Sequence, residues 1–488
     1  MVRRSAVVLL VALLGGLGLA LPAGAVPAAG SGARATAAGQ VVVTATPRYA
    51  LDVSLSAALS DSTGVLQRVR VDYGDGSGPV VVQGDPENPS NVLTAAHTYP
   101  ALGSYRITVV VDATGEVVTT PFVTAGLGFV PVGPTRVFDT RSGAPMAPSS
   151  TTRVRVAGIN GIPADVAAVA VNLTATDTAA GGFLTAYVPG TVRPPTSNVN
   201  FVRGQTAPNF TVVAVSGGQI EVFNGSPGTT ALVVDVLGVF THAPGTAPNH
   251  GGLNRVLDTR NTGGPIAAGT SRSVKLADRG DVQAVVNLTV TAGSGSGYLV
   301  AHAGDAPRPA TSNLNFGVNT TRSNLAIVRL APDGTMRLHA SATTHVLVDV
   351  VSLLEPSSSK GYVPITPVRT LDTRTDKAIP PGGEIQAYTF TDEMLEDPLS
   401  RHSIPLVTYT VTGPTSDGWL RHRSDVGGSG QWYNGAHLNF SPGETIANTV
   451  LPPHSHGSHP PFVLNSGLIT NASGGTTHLV TDVLGYFA

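Results

Sequence analysis

The chain has 488 residues, no cysteine and a formal net charge of −2. Without cysteine it can form neither disulfides nor thiolate metal sites, so its stability must come from packed cores. Charged residues make up 12% of the chain, about half of the usual ~25%, and the nearly neutral balance provides no field that would attract nucleic acid or an anionic membrane.

The first 25 residues have the pattern of an export signal. A basic start, MVRR, precedes an apolar run over residues 6–21, which is followed by the small-residue triplet AGA. This pattern predicts a signal peptide over residues 1–25 that is removed on export. The apolar run is too short and too interrupted by glycine to predict a retained membrane anchor. We therefore expect a secreted, extracellular protein with no membrane span in the mature chain.

The segment behind this leader has the pattern of β-strands. Short runs rich in β-branched residues alternate with Gly, Asp, Asn and Pro, and no apolar stripe has helical spacing. The sequences VDYGDGS (71–77) and AHTYPALGSY (96–105) closely resemble the two signatures of the PKD family. That resemblance implies an immunoglobulin-like β-sandwich over residues 40–125. Asp72 and Asp75 are interpreted as turn-capping acceptors, with calcium binding as the alternative.

The rest of the chain is a threefold repeat. The motif Arg-x-x-Asp-Thr-Arg occurs at residues 136–141, 255–260 and 369–374, and each copy closes on an apolar strand that contains one aspartate. Corresponding positions lie about 115 to 130 residues apart, which is too long for a solenoid unit and long enough for a domain. The sequence therefore predicts an all-β protein in which three tandem, jelly-roll-like β-sandwiches of eight or nine strands follow the first sandwich.

We place the repeats at residues 127–242, 251–355 and 361–488. The Pro-rich joins at residues 241–250 and 355–360 are interpreted as short linkers. Each core should be complete within its own repeat, so the domains are expected to fold independently. Over about 360 residues, the repeats resemble those at the C-termini of exported actinobacterial surface and cell-wall-associated proteins.

The recurring charges are interpreted as structural ion pairs. Asp235 lies in the run LVVDVLGVF, where both strand faces are apolar and an unpaired carboxylate would be too costly to keep. A guanidinium matches a carboxylate in geometry, so the aspartate of each closing strand should be buried against an arginine of its own repeat. The predicted set is Arg136, Asp139, Arg141, Asp235, Arg255, Asp258, Arg260, Asp349, Arg369, Asp372, Arg374 and Asp482. A binding or catalytic role is the alternative, since paired acids serve glycoside hydrolysis.

Asparagines also recur in every copy. Asn172, Asn198, Asn200 and Asn209 are interpreted as satisfied buried amides, with sugar contacts as the alternative, because recurrence in each repeat fits maintenance of the fold better.

The third repeat has aromatic residues that the others lack. Trp432 and Tyr433 lie in the glycine-rich segment GGSGQWYNG, where an exposed aromatic pair would form a platform for sugar rings or an anchor for a protein. Packing against the edge of the core is the alternative. Trp419 corresponds to Phe183 and Tyr298 in the earlier copies and is therefore interpreted as an aromatic core position.

The third repeat also contains a histidine cluster in a Pro-rich segment. His454, His456 and His459 have a spacing that allows a shared transition metal. No carboxylate supports them and the prolines favour an exposed turn, so no metal and no cofactor are predicted.

Together these features predict a secreted, non-enzymatic surface or matrix protein. Its expected partners are cell-envelope polymer, extracellular glycan or another surface protein. A glycan hydrolase with its site in repeat 3 is one alternative, and it requires an open cleft with two carboxylates that arginine does not neutralise. A purely structural stalk is the other, and it requires the aromatic residues to be buried throughout.

Overall fold

The computed structural model describes residues 40–47, 50–60, 64–248, 253–357, 360–388, 403–424, 435–452 and 466–488. These residues form antiparallel β-strands, together with one short 3-10 helix at Thr373–Thr375. The predicted all-β class is confirmed. No helix in these ranges is long and apolar enough to cross a membrane, and the predicted signal peptide, residues 1–25, lies outside them.

The N-terminal sandwich comprises seven strands in two sheets. The strands are β1 (Val41–Pro47), β2 (Asp52–Leu59), β3 (Arg68–Asp72), β4 (Val80–Gln83), β5 (Val92–Thr98), β6 (Ser104–Val111) and β7 (Val117–Val123). One sheet has the order β1-β2-β5 and the other the order β4-β3-β6-β7. Alternate residues of both sheets are buried between them, with Tyr99 stacked on Phe122 at 5.2 Å between ring centroids.

Each repeat has eight strands in the described residues. Repeat 1 contains β8 (Gly128–Asp139), β9 (Thr151–Arg155), β10 (Ala168–Thr176), β11 (Gly182–Tyr187), β12 (Val199–Phe201), β13 (Ala207–Ala214), β14 (Gln219–Asn224) and β15 (Ala231–Thr241), and β16 (Gly245–Pro248) follows it. Repeat 2 contains β17 (Asn254–Asp258), β18 (Thr270–Lys275), β19 (Gln283–Thr291), β20 (Gly297–Ala303), β21 (Leu314–Phe316), β22 (Arg322–Arg329), β23 (Thr335–Ala340) and β24 (His345–Ser357). Repeat 3 contains β25 (Tyr362–Asp372), β26 (Glu384–Tyr388), β27 (Ile404–Thr412), β28 (Gly418–Ser424), β29 (Leu438–Phe440), β30 (Thr445–Val450), β31 (Ser466–Ser473) and β32 (His478–Phe487).

All three repeats have the same strand order. Their inner sheets are β13-β10-β15-β8, β22-β19-β24-β17 and β30-β27-β32-β25, and their outer sheets are β12-β11-β14-β9, β21-β20-β23-β18 and β29-β28-β31-β26. With the strands of a repeat counted from one to eight, the sheets read 6-3-8-1 and 5-4-7-2. This is the double Greek key of a jelly roll, and it confirms the predicted repeat fold.

The inner sheets are buried on both faces. In β10, Val169 and Val171 point into the core of repeat 1, whereas Ala168 and Ala170 point toward the other repeats. A strand buried on both faces reads as a continuous apolar run, which accounts for the sequence around Asp235.

A shared core lies where the three inner sheets meet. It consists of Leu127, Phe129, Ala168, Ala170, Phe210, Val212, Leu237 and Phe240 of repeat 1, Leu253, Val285, Leu325, Ile327, Val351 and Leu354 of repeat 2, and Tyr362, Ile404, Leu406, Leu451, Leu484 and Phe487 of repeat 3. Each repeat also has its own core. The expectation that each core is complete within its repeat is therefore wrong, because one apolar face of every inner sheet is covered by the neighbouring repeats.

The joins are also different from the linkers expected from the sequence. Part of the first join forms β16, which pairs with β24 and with β8 and so connects the inner sheets of repeats 1 and 2. The start of the second join, Glu355, belongs to β24. Gly245, Pro248 and Pro356 in these segments lie at strand positions rather than in free connections.

We predict that truncating the shared core destabilises all three repeats together. Phe240 is fully buried and its ring contacts Phe129, Tyr362 and Phe487, at centroid distances of 5.1, 4.9 and 6.1 Å. Removing a buried ring costs about 3–5 kcal/mol, so Phe240→Ala should lower the unfolding temperature of the three-repeat body as one calorimetric transition.

The control is Phe122→Ala, which removes an equally buried ring from the N-terminal sandwich and should destabilise that sandwich alone. A Phe240→Ala protein in which one repeat melts early and the other two keep their transition would contradict the shared core.

Candidate functional site

Three buried asparagines join the repeats in a closed ring. The Oδ1 of each accepts a hydrogen bond from a backbone N–H of another repeat, namely Asn324 from Phe210 at 2.9 Å, Asn448 from Leu325 at 3.1 Å and Asn209 from Thr449 at 3.3 Å. Each donor residue directly follows the equivalent asparagine of its own repeat. The contacts run from repeat 1 to 2, from 2 to 3 and from 3 back to 1, so the three jelly rolls surround a pseudo-threefold axis.

A second set of amides differs among the three seams. Asn172 donates to the carbonyl of Ser312 at 2.8 Å, and Asn287 donates to the carbonyl of Ala436 at 2.8 Å. The corresponding residue of repeat 3 is Thr408, which faces Asp482 in the sheet as Asn172 faces Asp235. Two seams thus share the same amide contact, and repeat 3 departs from it with a threonine.

The expectation that these asparagines recur in every copy is wrong at two positions, since repeat 3 has Thr408 in place of Asn172 and His437 in place of Asn198. The other asparagines have structural partners as well. Asn198 and Asn209 are almost fully buried. The Asn198 Oδ1 accepts from the backbone N–H of Ala186 at 2.7 Å, and Asn209 donates to the carbonyl of Asn198 at 2.6 Å. The half-buried Asn200 accepts from the Ser197 hydroxyl at 3.0 Å.

The structure brings the three closing-strand aspartates against the first arginine of each motif. Asp235, Asp349 and Asp482 are no more than 1% exposed. Arg136 Nε lies 2.9 Å from Asp235, and the Arg255–Asp349 and Arg369–Asp482 distances are both 2.8 Å. The second nitrogen of each guanidinium completes a bidentate pair.

The other carboxylate of each motif is nearer to solvent and binds the motif's last arginine. The pairs are Asp139–Arg141 at 2.5 Å, Asp258–Arg260 at 2.6 Å and Asp372–Arg374 at 2.5 Å. The side-chain hydrogen bond from the arginine is the largest influence on these three carboxyls, and it lowers their pKa.

The pKa values of the buried aspartates shift in the opposite direction. Burial raises the pKa of Asp235, Asp349 and Asp482, while the hydrogen bonds and charge of the paired arginine act against that rise. Each arginine therefore offsets a desolvation cost, which gives these pairs a structural role.

An open cleft lies at the seam between repeats 2 and 3. Its volume is about 620 Å³, and its lining residues are Arg255, Asp258, Arg260, Asn261, Thr289, Thr291, Thr321, Leu347, Trp419, Arg421, Gly435, Ala436 and Asn439. The ion-pair motif of repeat 2 forms one wall, and the outer sheet of repeat 3 forms the other.

Trp419 is the exposed aromatic residue of this cleft. Its side chain is 45% exposed, so the interpretation of this position as core is wrong. Adjacent residues of a strand point to opposite faces, and the next residue, Leu420, is fully buried in the core of repeat 3. The alternation of Trp419 with the apolar Leu420 is the feature of the sequence that indicates an outward-facing Trp419, and it has more weight than the recurrence of an aromatic residue.

The cleft contains one carboxylate among the described residues, Asp258. Its two oxygens accept from Arg260 at 2.9 and 2.6 Å. The described part of the cleft therefore holds no pair of carboxylates free of arginine, which is the arrangement that glycoside hydrolysis needs.

Five of the candidate residues lie outside the described residues. Trp432 and Tyr433 fall in residues 425–434, and His454, His456 and His459 fall in residues 453–465. In the ranges that the structure describes, no group of three or more His, Asp or Glu is arranged to hold a metal ion.

The two aspartates of the N-terminal turn cap backbone groups. Asp72 Oδ1 accepts from the N–H of Gly74 at 2.8 Å, and Asp75 Oδ1 accepts from that of Ser77 at 3.0 Å. Burial raises the pKa of Asp75, but hydrogen bonds from Ser77 and His97 outweigh it and lower that pKa to about 2.

Repeat 3 contains a buried histidine pair that sequence analysis missed. His422 and His437 occupy the positions of Ala186 and Asn198, and their ring centroids are 5.6 Å apart. None of the four ring nitrogens has a hydrogen-bond partner among the described residues. Burial is the main cause that lowers the pKa of His422 well below its usual value and that of His437 to about 4.

Comparisons with known proteins identify no family. No protein-family model and no curated protein matches the chain. Among solved structures, a triple jelly roll protein of an archaeal virus turret is 10% identical, with 79% of this chain and 89% of that chain covered and a TM-score of 0.16. The FN1–FN3 domains of chicken CNTN1 are 10% identical, with 65% and 99% covered and a TM-score of 0.14. A Sulfolobus turreted icosahedral virus structure is 11% identical, with 77% and 87% covered and a TM-score of 0.14. These scores carry no argument about function.

We predict that Asp235→Ala lowers the free energy of unfolding by about 3–5 kcal/mol, because it leaves Arg136 partly buried without its carboxylate. The matched control is Glu221→Ala, whose partner Arg153 has a side chain 58% exposed and which should cost less than about 1 kcal/mol. Urea unfolding measures both. Equal losses of unfolding free energy in the two variants would show that burial of the Arg136–Asp235 pair contributes nothing to stability.

We predict that the histidine pair makes repeat 3 sensitive to acid. The folded pKa of His437 lies below the ordinary value of an unfolded chain, so the stability is present above pH ~6.5 and is lost as the pH falls toward 4. The loss from this residue is on the order of 3 kcal/mol.

The variant His422→Ala/His437→Asn restores the Ala–Asn pair of repeats 1 and 2 and should flatten the dependence of the unfolding temperature on pH between 6.5 and 4. An unchanged slope relative to the wild-type protein would refute the assignment.

Proposed function

We propose that the protein is an exported, non-enzymatic surface or matrix protein, and that it binds extracellular or cell-envelope glycan in the cleft between repeats 2 and 3. The observation that carries the proposal is the exposed Trp419 ring in a cleft whose other lining side chains are mostly polar. An indole face packs against the C–H face of a sugar ring, while hydroxyl, amide and guanidinium groups bond to the sugar hydroxyls.

The charges of the cleft support binding rather than hydrolysis. Arg255 and Asp258 are engaged in ion pairs of their own repeat, so the cleft wall is a fixed polar surface with no free acid and base pair among the described residues. The exposed Trp419 also favours a binding role over a purely structural stalk, which would bury its aromatic residues.

The N-terminal sandwich has the role of a spacer in this proposal. Its two signatures resemble those of the PKD family, and its turn is fixed internally, with Tyr73 stacked on His97 at 3.9 Å between ring centroids. Backbone hydrogen bonds between Leu127 and Tyr362 fix the start of repeat 1 to repeat 3 directly behind this sandwich. The sandwich would therefore present a preassembled three-repeat body. Export follows from the leader at residues 1–25, and a surface protein remains the alternative partner.

The test is Trp419→Ala, with retention on cell-wall polysaccharide measured by affinity electrophoresis. Loss of the stacking ring should weaken binding about tenfold or more, which corresponds to roughly 1.4 kcal/mol. The control is Tyr298→Ala, which removes the equivalent ring of repeat 2. Tyr298 is 38% exposed and is not part of this cleft. Unchanged retention of Trp419→Ala, or equal loss in both variants at an unchanged melting temperature, would reject the cleft as the site.

A further inference from the structure

A second cavity lies at a different seam, between repeats 1 and 2. Its volume is about 350 Å³, which is near the lower end of the roughly 300–1,000 Å³ of ligand pockets and suits one or two sugar rings. Four prolines contribute to its walls, at positions 131, 134, 307 and 309. The polar side chains on the repeat 2 side are Gln283, His302, Arg308 and Arg329. None of these residues belongs to the Trp419 cleft.

Among the described residues, no acid balances the charge of Arg308. Its guanidinium donates to Nε2 of His339, whose Nδ1 is bonded to Ser271 Oγ at 3.2 Å. No carboxylate of the described residues lies within ion-pair distance of Arg308. The nearest acid of the same loop, Asp305, is bound to Arg329 at 2.7 Å. The guanidinium is thus oriented by a neutral ring, and its charge is left for a ligand.

The pKa values of the two histidines beside Arg308 are lowered. Burial is the main cause that lowers the pKa of both His302 and His339. The charge of Arg308 lowers the pKa of His339 further, and the charges of Arg337 and then Arg308 lower that of His302 against the hydrogen bonds to backbone carbonyls that raise it. Both rings are therefore neutral near pH 7, and the local excess of charge belongs to the arginines.

A nearly buried amide provides a second polar contact. Gln283 is 6% exposed and lines the cavity. Its Oε1 accepts from the Thr246 hydroxyl at 2.6 Å. The amide NH₂ has no protein partner among the described residues, which leaves two donors at the cavity.

We propose that this seam pocket binds an acidic sugar through its carboxylate. Arg308 supplies a planar guanidinium that matches a carboxylate bidentately, the Gln283 amide donates to a ring or hydroxyl oxygen, and the prolines provide rigid apolar walls for the ring. The chemical class is a uronic acid unit, either free or at the end of a glycan. The site is separate from the Trp419 cleft and does not depend on the function proposed for it.

The experiment is a ligand-observed NMR titration of the full chain with D-glucuronate, with D-glucose as the neutral match. Glucuronate should bind at least tenfold more tightly than glucose, and Arg308→Ala should remove that preference. Because Arg308 is itself exposed, the variant should stay folded, and a small fall in its melting temperature would report the lost hydrogen bond to His339. The control is Arg337→Ala, which removes a nearby exposed arginine that does not line the pocket and should preserve the preference.

Trp419→Ala should leave glucuronate binding unchanged, which separates this site from the proposed glycan cleft. Equal binding of glucuronate and glucose, no binding of either, or an equal loss in Arg308→Ala and Arg337→Ala would overturn the proposal. An equal loss in the two arginine variants would mean that the preference for glucuronate comes from the overall positive charge of this surface and not from the pocket.

Discussion

The ring of buried amides at the pseudo-threefold axis is the constraint on which the rest of the molecule depends. A buried side-chain amide without hydrogen-bond partners destabilises the folded state by about 1–3 kcal/mol. Here the side-chain Oδ1 atoms of Asn209, Asn324 and Asn448 each accept a hydrogen bond from a backbone N–H of a neighbouring repeat. Burial of the apolar core beside the ring favours association of the repeats, but it does not fix their relative orientation. The amides add geometry, because a shift of one strand position would remove their partners.

The binding features follow from this fixed geometry. The cleft with Trp419 and the pocket with Arg308 each combine side chains from two repeats, so neither would exist in an isolated jelly roll. The buried Arg–Asp pairs serve the same arrangement, since their carboxylates lie on inner strands, and those of repeats 1 and 2 lie opposite the seam amides. Asp235, for example, faces Asn172 in the sheet.

The jelly-roll repeats and the burial of Asp235 could be predicted because each depends on local pattern and on the cost of burying a charge. The shared core could not, since an apolar strand face looks the same whether its own repeat or a neighbour covers it. The sequence predicts a linker where β16 lies, because Gly245 and Pro248 are typical of both a connection and a sheet edge. The pocket at Arg308 joins segments more than a hundred residues apart, and no spacing in the sequence indicates that they meet.

Continuity of the chain through β16 has a consequence for how the molecule can evolve. In an assembly of three identical subunits every substitution appears at three interfaces at once. Here one gene encodes three separate versions. Repeat 3 has Thr408 where repeats 1 and 2 have Asn172 and Asn287, and the position of Phe183 is Tyr298 in repeat 2 and Trp419 in repeat 3. One interface can acquire a new ligand preference while the other two maintain the assembly. The pseudo-threefold symmetry therefore restricts the backbone of the repeats but not the ligands that their interfaces can bind.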